Sequence, residues 1–284
     1  MPEIVTSTDN YLSFLLTFKN FESLTTLAIF FLAMGRIIPI MYLAPFFGGK
    51  NVPGPVRIMF GVSLIAIIFP QLLLSIKTEI PFDLAFAGYM LKELVIGFIL
   101  AFFVTIPFYI AQTSGSLIDH IRGAQSLQVA DPTTSSKTGP VGVLYNYVLI
   151  TIFYFIGGPF YFIDALTTSF EIIPVNDFIS PHFFNLDLPF WQTMTDLINQ
   201  TLKLSIQLGA PSIIGILMAE MFLGIANRLA PQVQIVFLGI SLKSWVGLAL
   251  LTVSWYFIMT QMGKESINWL KMIQSVIDQL KFSP

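Results

Sequence analysis

Uncharged apolar stretches as long as a bilayer is thick leave a chain few choices of fold, and this sequence has several. Between neighbouring charged residues lie Ile58 to Ile76, Leu94 to Ile118, Thr138 to Ile163, Leu204 to Ala219 and Ser244 to Gly263. A further run, Leu24 to Phe47, is interrupted only by Arg36. Crossing about 30 Å of hydrocarbon takes about 20 apolar residues as a helix, so these runs predict six membrane helices and an all-α fold. Charged residues make up 11% of the 284-residue chain, against about 25% in a soluble domain.

The opening MPEIVTSTDNYLSFLLTFKN carries acids, lacks a basic n-region and shows no A-x-A site, so it reads as retained and not as a removable signal peptide. The sequence holds no cysteine, which excludes a disulfide framework, a thiolate metal site and a Cys nucleophile. A net charge of -2 with singly scattered basic residues argues against a nucleic-acid surface or a polybasic lipid patch. Alternate assignment of the connections splits Lys and Arg evenly between the two sides, so the positive-inside rule leaves orientation open. Only the interval from Lys137 to Lys203, free of Lys and Arg, suits the extracytoplasmic side.

Two segments have the pattern of helices lying alongside a bundle. PFWQTMTDLINQTLKL spaces Phe190, Met194, Leu197, Ile198 and Leu202 helically. The tail, 264–284, puts Ile267, Leu270, Ile273, Ile277 and Leu280 on one stripe with Lys264, Lys271 and Lys281 off it, as an amphipathic helix does. Prolines 39, 45, 70, 107, 159 and 211 fall inside apolar runs, where each removes a donor and crowds the preceding turn. Bent or broken helices follow. PQVQIVFLGISL, Pro231 to Leu242, is too short to span and suggests a half-helix or hairpin. With no internal repeat and no linker, one membrane domain over 1–284 is the simplest partition.

GSLIDHIRGAQSLQVADPTTSSKTGP, Gly115 to Pro140, is the densest polar stretch between two apolar runs. Ser116, Asp119 and His120 hint at a catalytic triad, but no G-x-S-x-G elbow is present, and residues one to four apart seldom converge as nucleophile, base and orienter. His182 is the only other histidine, and neither H-E-x-x-H nor a close acidic cluster offers a metal site. Arg36, Lys92, Glu93 and Glu220 lie in or beside apolar runs, where an uncompensated charge costs about 3 kcal/mol on insertion scales. They need partners in an interhelical or intersubunit ion pair, or else they line a conduit or proton relay.

GRIIPIMYLAPFFGGKNVPGPVRI, KELVIGFILAF, GSLIDHIRGAQSLQVADP and GAPSIIGILMAEMFLGIANRLAPQVQIVFLGISLK, in that order, resemble the FliR/SctT family of bacterial type III secretion and flagellar export. The resemblance spans about Arg36 to Lys243. It implies a T-type subunit, not an enzyme and without a cofactor, of a pore-forming export gate in the bacterial inner membrane, with bent hairpins raised toward the periplasm on assembly. The implied partners are R-type and S-type gate subunits, with U-type and V-type components, and unfolded secreted proteins as cargo. It also implies that roughly Ser114 to Lys137 is a plug loop, whose candidate residues are Gly115, Asp119, His120, Arg122, Gly123, Asp131 and Pro132. Candidates for assembly or pore lining are Arg36, Pro39, Pro45, Arg57, Glu93, Glu220, Arg228, Pro231, Gln232 and Lys243. His120 with Arg122 makes the loop more charged than in flagellar members, which tilts the reading toward a virulence system. Two rival readings are a small-solute secondary transporter built on Pro-broken helices and an intramembrane enzyme.

Overall fold

A computed structural model describes residues 23–48, 52–76, 80, 82–124, 129–130, 137–178, 189–229 and 235–281. The chain is all-α. Its helices are α1 (Ser23–Leu43), α2 (Gly54–Ser75), α3 (Leu84–Ile121), α4 (Pro140–Phe155), α5 (Gly158–Ile172), α6 (Pro189–Leu229), α7 (Ile235–Val253) and α8 (Trp255–Lys281). A 3-10 turn covers Pro45–Phe47, and a two-residue ladder pairs Val129–Ala130 antiparallel with Lys137–Thr138. Among the described residues four helices, α1, α2, α3 and α6, are long and apolar enough to cross a membrane. The pairs α4–α5 and α7–α8 pass the same test jointly across a bend, which brings the total to as many as six.

The breaks have local causes. α4 ends where Gly157 adopts φ +76°, a left-handed conformation that a side chain disfavours, and Pro159 follows as an early residue of α5. The α7–α8 pair bends by 63° at Ser254, whose hydroxyl donates back to the Leu250 carbonyl at 2.5 Å, the serine geometry that bends helices. Pro45 starts the 3-10 turn, while Pro39, Pro70, Pro107 and Pro211 sit inside α1, α2, α3 and α6.

The chain forms two compact units. One holds the chain up to Val104 together with Tyr161–Phe190 and Ile273–Pro284; the other holds Thr105–Phe160 and Trp191–Met272. In the first, α1 buries Ala28, Ile29, Leu32, Ala33, Ile37 and Ile40 completely, a stripe at helical spacing with Arg36 in its middle. In the second, α4 buries Val141, Tyr145, Leu149 and Phe153, one residue per turn.

Three expectations about elements are corrected. PFWQTMTDLINQTLKL is no separate helix but the first turns of the 41-residue α6, whose Leu197 is buried while Ile198 and Leu202 are exposed. The run ending at Leu242 is not a half-helix. From Ile235 it is the start of α7, which continues through Lys243 to Val253, because Lys243 finds an acid on α6 and need not end the helix. The amphipathic tail is likewise the second part of α8, and Ile267 on its expected stripe is exposed while Trp269 and Leu270 are buried.

Candidate functional site

The polar stretch after the long third apolar run is built differently from a free loop. Its first residues, from Ser114 to Ile121, are the last turns of α3. Asp119 there is buried and has both carboxylate oxygens occupied. Oδ1 accepts from Arg122 Nε at 2.9 Å and Nη2 at 2.5 Å, and Oδ2 accepts from the backbone N–H groups of Val141 at 2.8 Å and Gly142 at 3.2 Å. Those two amides belong to the first turn of α4, where no intrahelical acceptor exists, and where negative charge is favoured by the helix dipole. Asp119 thus caps α4 from another helix, while Arg122 reaches Ser244 Oγ on α7 at 3.1 Å.

Glycines make this approach feasible. A Cβ on Gly139 would overlap the Asp119 carboxylate, and one on Gly115 would stand 2.6 Å from the Gly142 Cα. Gly115, a candidate plug-loop residue, sits inside α3 as a contact point against α4. Gly123, at φ +84°, is the position that needs a glycine's conformation, since it turns the chain out of α3. Asp131 and Pro132 lie outside the described residues. His120 is exposed. With Asp119 committed to Arg122 and two amides, its carboxylate is a clasp between the end of α3 and the start of α4.

The first unit carries a second buried polar cluster. Arg36 and Glu93 are both fully buried. Arg36 Nε donates to Glu93 Oε2 at 2.6 Å and Nη2 to Oε1 at 3.0 Å, the bidentate fork that makes such pairs strong. The guanidinium also donates to Ser169 Oγ at 3.1 Å and the Ile173 carbonyl at 2.7 Å, and it lies over the Phe170 ring. Lys92 Nζ pairs with Glu93 at 2.6 Å and donates to the carbonyls of Pro174, Val175 and Asp177. Cations thus meet the carbonyl-rich end of α5, where the dipole favours them. α1 and α3 come close enough for this at Gly97, where a Cβ would overlap the Arg36 carbonyl.

The other expected site residues are dispersed. Glu220 and Lys243 pair at 3.0 Å on an exposed face of α6 and α7. Arg228 is exposed in the last turn of α6. Arg57 is buried, donates to the Val52 carbonyl at 3.0 Å and lies over Tyr42. Pro39 lies inside α1 and Pro45 is buried, whereas Pro231 and Gln232 lie outside the described residues. Glu93 and Glu220, which needed partners in an interhelical or intersubunit ion pair, both find them between helices of this chain. Sequence reading missed Ser169, Ser244 and the glycines at 97 and 142, since a lone serine or glycine in an apolar helix carries no signal of what it faces. Among the described residues, no cluster of three or more His, Asp or Glu is placed to hold a metal ion.

The chain is similar to known bacterial export and translocation proteins. The family model described as bacterial export proteins, family 1, matches residues 27–268. Among curated proteins, the chain is 28% identical over 211 residues to the surface presentation of antigens protein SpaR of Shigella flexneri, covering 74% of this chain and 78% of that protein. It is 28% identical over 256 residues to the Yop proteins translocation protein T of Yersinia pestis, covering 88% and 92%. It is 24% identical over 246 residues to the flagellar biosynthetic protein FliR of Aquifex aeolicus, covering 87% and 92%.

Proposed function

The chain belongs to the bacterial export proteins of family 1, components of type III secretion and flagellar export, and from that premise we propose that it is the T-type subunit of an export gate. In this reading it completes, with R-type and S-type subunits, a channel that passes unfolded proteins across the bacterial inner membrane, and it works beside U-type and V-type components. The chain supplies the wall and a stopper, and other components supply energy.

The observation that carries the reading is the fastening of the segment between α3 and α4. Its two ends, Arg122 and Gly139, are held at one carboxylate, that of Asp119. A segment anchored at both ends and rich in small polar residues suits a stopper that docks reversibly, because Ser and Thr bond as well to water as to a pore wall. The bulk of the stopper is the stretch from Gly123 to Thr138, shorter at its start than 114–137. Arg228, Glu220 and Lys243 belong in this reading to the surface that meets the other subunits.

Planar-bilayer conductance of the purified gate tests the proposal. Replacing 124–136 with a short Gly/Ser linker is expected to leave assembly intact and to raise conductance to small ions. Normal assembly with conductance no greater than wild type would reduce the stretch to a connector.

A further inference from the structure

In the second unit, α6 and α8 leave between them a cleft of about 320 Å³. Its polar lining is Gln200, Lys203 and Gln207 from α6 and Glu265 and Asn268 from α8, with the Trp269 indole as a wall. Lys203 is the last charge before the uncharged run Leu204 to Ala219, and Glu265 stands two residues past the end of the run Ser244 to Gly263. On each helix the cleft falls where the apolar run stops, and on a membrane-spanning helix that is the level of the lipid headgroups, the depth at which Trp is enriched. Gln261 donates to Glu265 Oε1 at 2.8 Å and holds that carboxylate in place. Lys203 and Glu265 do not bridge to each other among the ion pairs of the described residues.

The lining selects its ligand. One cation and one anion give no net charge, so neither a purely anionic headgroup nor a metal cation is matched. A group with a phosphate and a primary ammonium satisfies both, and the three carboxamides both donate and accept. On the apolar side of the cleft, Ile206 on α6 (55% exposed) presents bare apolar surface, the complement of acyl chains. We propose that this cleft binds the headgroup of a phosphatidylethanolamine-type aminophospholipid, with Lys203 on the phosphate, Glu265 on the ammonium and the chains along α6. The site is independent of the plug reading: it belongs to α6 and α8 and uses no residue of the 122–139 segment.

Native mass spectrometry of the full chain, released from micelles with defined lipid added, tests it. Phosphatidylethanolamine is expected to stay bound in preference to phosphatidylglycerol and phosphatidylcholine of the same chains. Lys203→Met and Glu265→Gln, each removing one charge-assisted contact, are each expected to weaken retention by about tenfold or more. Circular dichroism of both variants is expected to match wild type, because Lys203 is exposed and neither substitution touches the buried clusters. Equal retention of all three lipids, or unchanged retention in both variants, would overturn the proposal. So would soluble phosphoethanolamine, or an unfolded peptide, displacing the lipid at matched concentration, since each would assign the cleft to a different ligand.

Discussion

Glu93 is asked to neutralise two cations at once, Arg36 and Lys92, with its side chain shielded from solvent. Removing one partner of a buried network strands the others, at about 3–5 kcal/mol, whereas an exposed pair is worth about 0–1 kcal/mol. Glu93→Gln is therefore expected to lower the thermal midpoint in mild detergent far more than Glu220→Gln, whose side chain is 54% exposed in its pair with Lys243. Equal losses would contradict the assignment. Asp119→Ala takes away a cap and leaves Arg122 buried without its anion, so it is expected to cost about 3 kcal/mol or more. Asp119→Asn, which keeps an acceptor for Val141 and Gly142, is expected to lose less, as read from protease protection of 123–138. That these charges needed partners was legible from their apolar surroundings. Which partners was not, because Arg36 and Glu93 are 57 positions apart and nothing local links them.

At the scale of elements, close approach at glycine decides which helices can cross. Gly97 has the Arg36 backbone where a Cβ would be, while Gly263 on α8 has nothing within 4 Å. Gly97→Ala is expected to destabilise by about 1–3 kcal/mol through overpacking. Gly263→Ala should instead stabilise by about 0.5–1 kcal/mol through helix propensity, and differential scanning in one detergent compares the two. Element types were legible, because uncharged length is a property of a single segment. Element ends were less so. A charge was read as a boundary at Lys203 and Lys243, yet α6 and α7 both run through theirs, since a long side chain carries its charge away from the axis to a partner or to water. That Gly115, a plug-loop candidate, lies inside α3 against α4 was not legible for a related reason: a glycine in sequence does not reveal whether it bends the chain or admits a neighbour.

For the whole molecule, the apolar surface left bare is the main message. Along α6, Met218, Met221, Phe222 and Ile225 are each more than half exposed, and only 28% of its most apolar window is buried. Lipid or neighbouring subunits must cover them. Because the chain has no cysteine, a single introduced thiol reports cleanly on what does. Phe222→Cys is expected to cross-link to a neighbouring gate subunit in the assembled complex, and Ser212→Cys, fully buried, is not. Labelling of Phe222→Cys by a lipid-phase reagent, with no protein adduct in an assembled gate, would assign that face to lipid instead.

The placement of the short ladder has a mechanical corollary. Thr138 pairs with Val129 and lies one residue from Gly139, which is wedged against the Asp119 carboxylate. On the other arm, five residues separate Gly123 from Val129, a contour of up to about 17 Å at about 3.4 Å each. Both arms of the segment nevertheless end at the same carboxylate, Arg122 on the α3 side and the first turn of α4 on the other, so a single side chain ties the two helix ends together.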